Sequence, residues 1–241
     1  DETSNTLTSW RSRLEISMAK SRKIRGSNYV QLSTMDENGE PRCRTVVFRG
    51  FLKLPADHVL SNTCGGTGDG NGDNGLLSTT MKMCTDRRSQ KVKQHQVQPM
   101  AELVWWFPKT SEQYRVRGKL ILVGDETQVE EEEGDATHQD RALAIARKEL
   151  WGNLSDPARE SFLGSRVPGE AYTNDEDTNE STLVPPGGRD PDGKPVPPPA
   201  NFLLMLMDPT HVDYLRLTGD QYRQIDTRSP EGVWSLQRVN P

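Results

Sequence analysis

The amino-acid sequence predicts a mainly β (α+β) protein whose antiparallel strands form a closed or partly closed barrel with a few peripheral helices. Apolar and polar residues alternate along much of the chain, which is the pattern of half-buried strands. Short turns join several of these segments into hairpins. Helical spacing is confined to a few short segments. Closure into a barrel would remove the exposed edges that such a sheet otherwise presents.

The first predicted elements are a helix and a hairpin. Residues 6–19 carry apolar side chains at three- to four-residue spacing, which favours a helix. The apolar period then falls to two in the predicted strands 29–35 and 42–48. Between these strands, Asn38 and Gly39 supply the residues that tolerate positive φ in a hairpin turn.

The same patterns predict the remaining elements. Most of them are short strands, and helical segments separate the middle hairpin from the C-terminal strands. We predict strands over 81–85, 100–107, 113–123, 202–207, 212–217, 222–227 and 234–239, helices over 89–95 and 137–151, and a helical turn over 157–162.

We expect residues 1–241 to form a single domain with flexible insertions at 64–75 and 173–200. The first insertion contains six glycines in twelve positions, and the second carries seven prolines within 185–199. Neither has enough apolar side chains to offset the loss of chain entropy on ordering. The other residues, about 200, are enough to build one core.

The charge distribution favours a small anionic ligand over a polyanion. The net charge is −5, but residues 125–135 hold seven acidic and no basic side chains, so the remainder is slightly basic. Basic clusters lie in that remainder over 42–53 and 82–93. Nucleic-acid binding normally requires a more basic domain, and no apolar run reaches the roughly 18–20 residues of a membrane span. We therefore expect neither nucleic acid nor a membrane among the partners.

The cysteine pattern predicts a reduced, cytoplasmic setting. Cys43, Cys64 and Cys84 are odd in number and scattered, without CxxC or zinc-ligand spacing. The first ten residues, DETSNTLTSW, lack the apolar segment of a signal peptide.

Three familiar ligand motifs are excluded on chemical grounds. Gly70–Gly75 matches GxGxxG, but no strong strand precedes it, and Asp69 and Asp73 would repel a pyrophosphate. A calcium loop beginning at Asp69 would have Asn74 in place of glycine and Thr80 in place of glutamate. The four histidines are isolated and outside any HExxH motif, so we expect no metal site.

Two segments carry residues suited to a planar, phosphorylated ligand. Arg44 and Arg49 lie five residues apart on a predicted strand, so their side chains point to opposite faces. They are either surface arginines or donors to the edge of a planar heterocycle. Residues 85–91 (TDRRSQK) follow a strand and open a helix, where hydroxyls, free N–H groups and cations can hold a phosphate. The alternative for this segment is that Ser89 is only a helix cap.

Four segments in fixed order carry a family resemblance: YVQLSTMDENGEPRCRTVVFRGF (29–51), MCTDRRSQKVKQ (83–94), AELVWWFPKTSEQYRVRGKL (101–120) and NFLLMLMDPTHVDYLRL (201–217). Together they make the sequence similar to the FMN-binding split-barrel family related to pyridoxamine 5'-phosphate oxidase. The ordered set is specific for the superfamily and says little about the reaction. The resemblance implies a split barrel, FMN as the cofactor, and a homodimer that holds FMN between its protomers.

The resemblance also assigns roles residue by residue. RTVVFR (44–49) matches the strand that meets the pyrimidine side of the flavin ring in the family, and its last residue, Arg49, can face the substrate phosphate. TDRRSQK (85–91) matches the segment that binds the FMN phosphate. The residues implied to bind the cofactor are Arg44, Thr45, Val46, Val47, Cys84, Thr85, Ser89, Gln90, Lys91 and Gln113.

Among the departures of this sequence from true pyridoxamine phosphate oxidases, two bear directly on the cofactor and substrate sites. Gln90 stands where the phosphate segment has an arginine, so Arg87 or Arg88 would have to supply that contact. Residues 219–225 (GDQYRQI) replace an R-L-H-x-R segment that holds substrate and flavin, and they contain no histidine. No residue is an obvious general acid or base.

These observations predict an FMN-binding oxidoreductase that acts on a small molecule whose identity stays open. The alternatives are a flavin-binding protein without turnover, and a pyridoxal phosphate-binding protein that kept the fold and lost the oxidase reaction. The spectrum of the purified protein and its reduction by candidate donors distinguish them.

Overall fold

The computed structural model describes residues 9–53, 77–125, 138–172 and 185–241. Within these ranges nine strands form one antiparallel sheet, accompanied by four helices. The strands are β1 Tyr29–Met35, β2 Pro41–Val47, β3 Phe51–Lys53, β4 Leu77–Asp86, β5 Met100–Phe107, β6 Glu112–Val123, β7 Phe202–Arg216, β8 Tyr222–Arg228 and β9 Trp234–Val239. The helices are α1 Ser9–Ser21, α2 Gln90–Val97, α3 His138–Gly152 and α4 Asp156–Leu163.

The sheet curves into a barrel that the chain closes just after β2. The strand order is β2-β1-β5-β6-β7-β4-β3. In addition, β8 pairs with β7, and β9 pairs with β8. The backbone N–H of Arg49 donates to the carbonyl of Lys82, and the N–H of Lys82 donates to the carbonyl of Gly50, both at 2.8 Å. These bonds connect the β2 end of the order to β4. The mainly β barrel predicted from the sequence is therefore confirmed.

Strand β7 is shared by two parts of the barrel. It pairs with β6 along its length, while residues 202–207 also pair with β4 and residues 211–216 with β8. The sequence predicts two strands here, 202–207 and 212–217, and Pro209 lies in the gap between them. The strand continues because the register with β6 shifts beside Gly118, where a Cβ would lie 2.1 Å from the carbonyl oxygen of Asp208. A glycine without Cβ lets the two backbones approach at that irregularity.

The start of the β3–β4 hairpin differs from the prediction. Strand β3 is absent from the predicted set, and β4 begins at Leu77 rather than at residue 81. Ser78, Thr79 and Thr80 are all buried in this added part of β4. Hydroxyl side chains do not register as an apolar face, although threonine fits well in strands.

Two apolar cores lie on the two faces of the sheet. The first fills the barrel and includes Trp10 and Leu14 of α1. The second lies between the outer face of β4 and β7 and the helices α3 and α4. Its buried members are Leu52, Val123, Ala146, Leu150, Trp151, Leu154, Phe162, Phe202, Leu204 and Leu206.

The two predicted insertions fall mostly outside the described residues. Residues 64–75 lie wholly outside them, as do residues 173–184 of the second insertion. Its remaining part, 185–200, is bound to α3 and α4: Trp151 Nε1 donates to the carbonyl of Val196 at 2.5 Å. The flexibility of both insertions stays a prediction. Among the described helices, none is long and apolar enough to cross a membrane.

Candidate cofactor site

A polar cradle forms where β4 ends and α2 begins. The hydroxyls of Thr85 and Ser89 lie 3.1 Å apart, and Lys91 Nζ donates to Ser89 Oγ at 3.2 Å. Both hydroxyl residues are buried. Ser89 is the N-cap residue of α2, yet its side chain makes no capping hydrogen bond, and the first N–H groups of a helix have no partner within it. The cradle thus presents hydroxyls, backbone donors and an ammonium at one point, as a phosphate requires.

Lys91 is the charged group of this cradle. Burial lowers its pKa, and the positive charge of Arg44 lowers it further, while Asp86 and Cys84 act in the opposite direction. Lys91 forms no ion pair with a carboxylate among the described residues. A bound anion would therefore stabilise the charged form of this side chain.

Arg44 is held on the barrel side of β2 by three acceptors. Its Nη1 donates to the carbonyl of Leu32 at 3.1 Å and to Thr34 Oγ1 at 2.6 Å, and its Nη2 donates to Gln94 Oε1 at 2.6 Å. Sequence reasoning missed Thr34 and Gln94 as its supports. The only feature that could have indicated Gln94 is its place on the buried side of α2, which it shares with Val92. The guanidinium is consequently fixed rather than free in solvent.

The rest of β2 can offer mainly backbone groups. The side chain of Val46 is buried in the barrel core, Val47 is half-buried, and Thr45 is exposed on the opposite face. Among the described strands, β2 pairs only with β1. Its other edge therefore carries unpaired N–H and C=O groups that can bond the edge of a planar ring.

A β-bulge directs Arg49 to the face opposite Arg44. Arg49 and Gly50 both bond to Lys82 across the strands, so two residues stand opposite one. Gly50 has a φ of +102°, which favours glycine. The extra residue lets Phe48 and Phe51 both pack into the barrel core while Arg49 points outward. The predicted opposite orientation of the two arginines is confirmed.

Cys84 lies on the same outer face of β4, between the two parts of the site. Burial raises the pKa of its thiol, while the neighbouring positive charges of Arg49 and Lys91 lower it. Arg49 Nε is buried and has no hydrogen-bond partner among the described residues. The structure thus brings six predicted residues together: Arg44, Arg49, Cys84, Thr85, Ser89 and Lys91.

Two predicted residues lie apart from this group in the single chain. Gln90 is exposed at the first position of α2. Gln113 lies on the face of β6 that points away from the barrel core, opposite Trp106 of β5 and Leu215 of β7. Gln113 therefore faces outward, where a second chain could meet it.

The arginines of the phosphate segment have other partners. Arg87 forms an ion pair with Asp125 and donates from Nε to the carbonyl of Ala200 at 2.9 Å. Arg88 forms an ion pair with Asp86 at 2.7 Å and donates to the carbonyl of Gly164 at 2.7 Å. Both guanidinium groups are thereby bound to the surrounding chain. The idea that either replaces the missing arginine at Gln90 gains no support from these contacts.

Comparison with known proteins decides the family. Residues 7–124 match the model of the pyridoxamine 5'-phosphate oxidase FMN-binding domain. A pyridoxamine 5'-phosphate oxidase-related, FMN binding protein from Nostoc punctiforme, known from a crystal structure, is 34% identical, with 98% of this chain and 100% of that chain covered and a TM-score of 0.69. The chain belongs to this family. The resemblance read from the sequence and the FMN-binding split barrel that it implied are confirmed.

Two further proteins are similar to this chain. Pyridoxine/pyridoxamine 5'-phosphate oxidase 2 of Arabidopsis thaliana is 29% identical over 218 residues, which is 89% of this chain and 88% of the relative. PhzG from Burkholderia lata, solved with tetrahydrophenazine-1-carboxylic acid, has a TM-score of 0.66 at 14% identity, with 97% and 93% of the two chains covered. The likeness to PhzG concerns the fold alone.

The described site fits the cofactor of this domain, which is FMN. The buried hydroxyls, and the Lys91 ammonium without a carboxylate partner in the described chain, suit a phosphate monoester. The fixed guanidinium of Arg44 suits the polar edge of a ring. A terminal monophosphate can bond to Thr85, Ser89 and Lys91 of the cradle. An adenylated phosphate carries less charge and would need room that Gly-rich loops usually provide.

Proposed function

We propose that this chain is an FMN-dependent oxidoreductase that acts on a small molecule. The observation that carries the proposal is the cradle at the start of α2, where Ser89 makes no capping bond and Lys91 has no acidic partner in the described chain. FMN, when bound, supplies the redox chemistry, which amino-acid side chains cannot perform. The protein's own part is to bind, orient and electrostatically tune the flavin.

Each side chain of the site has a distinct task in this proposal. Thr85, Ser89 and Lys91 hold the phosphate. Arg44 lies on the pyrimidine side of the flavin, where its fixed positive charge favours negative charge on the ring. The free edge of β2 supplies backbone donors and acceptors to the same ring edge. Arg49, on the other face, is left for the substrate.

The homodimer is part of the same proposal. Gln113 lies on the outward face of β6 beside Trp106, a large apolar side chain that is 42% exposed. A second copy that covers this face would bring its own Gln113 to the site of its partner. A cofactor held by both protomers stabilises the pair by mass action. We expect sedimentation to show an FMN-bound dimer that dissociates more readily when FMN is removed, and a monomer with stoichiometric FMN would refute the shared site.

Flavin reduction tests the proposed activity. We expect the purified protein to show a flavin absorbance spectrum that a suitable donor bleaches and oxygen restores. The name of the Arabidopsis relative makes pyridoxamine 5'-phosphate and pyridoxine 5'-phosphate the first substrates to test, followed by NADH and NADPH. A flavin that no donor reduces would favour a binding protein without turnover. Retention of pyridoxal phosphate without flavin would favour a pyridoxal phosphate-binding protein that lost the oxidase reaction. A cytoplasmic setting stays a prediction from the sequence.

A further inference from the structure

Gln94 lies on the helix that begins at the phosphate cradle, and it contacts the arginine proposed for the flavin ring. It follows Lys91 by three residues on α2, so the two side chains share one side of the helix. Gln94 Oε1 accepts hydrogen bonds from Thr34 Oγ1 and from Arg44 Nη2, both at 2.6 Å. Thr34 Oγ1 in turn accepts from Arg44 Nη1 at 2.6 Å. Three side chains thus form a closed triangle of hydrogen bonds next to the cradle.

The acceptors around Arg44 are all uncharged. They are the carbonyl of Leu32, the hydroxyl of Thr34 and the amide of Gln94, and no carboxylate of the described chain forms an ion pair with this guanidinium. Gln94 is buried, with 7% of its surface exposed. A glutamate at this position could accept the same hydrogen bonds but would neutralise the arginine. The amide therefore fixes the guanidinium and leaves its positive charge to act on a ligand.

We propose that Gln94 is a positioning residue for the flavin, which holds Arg44 in place without compensating its charge and thereby raises the reduction potential of bound FMN. The inference rests on the proposed function, because that function places Arg44 at the pyrimidine side of the ring. Two electrons and one proton convert the oxidised ring to an anion, which a fixed and uncompensated guanidinium stabilises more than the neutral ring. Gln94 acts through Arg44 and need not touch the flavin.

Redox titration of the FMN-loaded protein with dithionite tests the role of charge. Gln94→Glu keeps an acceptor at the same place and adds a negative charge. We expect it to weaken the binding of reduced FMN by about 10-fold relative to oxidised FMN, which lowers the two-electron potential by about 30 mV. Gln96→Glu makes the same change at an exposed position of α2 and should leave the potential nearly unchanged, because water and salt screen that charge. Equal potentials in the two variants would overturn the inference.

Flavin titration of the FMN-free protein tests the route through Arg44. Gln94→Leu removes the acceptor and should weaken the binding of riboflavin and of FMN by about 10-fold each, because both ligands carry the ring. Lys91→Ala should weaken FMN alone. In an Arg44→Ala background Gln94→Leu should have no further effect, since a positioning residue acts only through the group that it positions. An undiminished effect of Gln94→Leu in that background would contradict the proposal.

The two measurements also separate this inference from the proposed activity. Dithionite reduces the flavin whether or not the protein turns over, so the lack of any effective donor among the candidates would count against the proposed function while the potentials still test Gln94. Gln94→Glu retains both hydrogen bonds, so the redox comparison stands even where Gln94→Leu does not fold.

Discussion

Replacing Lys91 with alanine is expected to weaken FMN binding by about 10- to 150-fold. The ammonium is half-buried, donates to Ser89 Oγ and has no carboxylate partner in the described chain, so its charge is available to the phosphate. Loss of one charge-assisted hydrogen bond costs roughly 1.5–3 kcal/mol, which corresponds to that range of dissociation constants. Quenching of flavin fluorescence during titration of the FMN-free protein measures the effect.

Lys93→Ala is the matched control for this substitution. Lys93 lies two residues further along the same helix and is exposed, so the same change of charge should leave the affinity within about 2-fold. If Ser89 served only the helix and Lys91 were a solvated surface charge, both variants would bind FMN like the unmodified protein. That result would remove the cradle from the site and leave the fold untouched.

The cradle could be located from the sequence because its signal is local. Residues 85–91 contain the hydroxyls and cations within one segment, at a strand-to-helix junction that alternation and helical spacing both indicate. The sequence left open whether Ser89 caps α2 or binds a ligand. A capping serine and a ligand-binding serine occupy the same position at a helix start. The side-chain geometry shows that Ser89 makes no capping bond, and its binding of a ligand stays a prediction.

The supports of the site could not be predicted, because they depend on contacts between distant segments. Thr34 and Gln94 are 60 residues apart. Thr34 reaches Arg44 because β1 pairs with β2, and Gln94 reaches it because α2 lies against β1. The bulge at Gly50 could not be predicted either, because the sequence alone does not determine which residue of β4 lies opposite Arg49. The predicted faces of Arg44 and Arg49 were nevertheless correct, as the alternation runs undisturbed from Arg44 to Phe48.

The long strand β7 shows the opposite error, in which a local rule was applied too strictly. Proline lacks an N–H and usually interrupts a central strand, and the gap between the two predicted strands contains Pro209. The structure accommodates it at a register shift opposite Gly118. The length of β7 matters for function, because its first part pairs with β4, which carries the cradle, and its last part lies beside Gln113.

A buried arginine of α4 binds the segment just before β7. Arg159 of α4 is fully buried, donates from Nε to the carbonyl of Gly187 at 2.9 Å, donates to the carbonyl of Leu154, and forms an ion pair with Asp156. Arg189 binds the same carboxylate at 2.8 Å but is 39% exposed. The two arginines therefore share an acidic partner and differ in burial.

Arg159→Met is expected to lower the free energy of unfolding by about 2–4 kcal/mol, because it leaves the buried carbonyls of Gly187 and Leu154 without their donor. Arg189→Met should change this free energy little, since water can replace an exposed partner of Asp156. Urea denaturation measures both free energies, and limited proteolysis shows whether residues 185–200 become cleavable in the first variant alone. Methionine keeps most of the aliphatic volume of arginine, so the difference reports on hydrogen bonds and charge. Equal losses in the two variants would show that the burial of Arg159 does not determine how firmly this segment is held to α4.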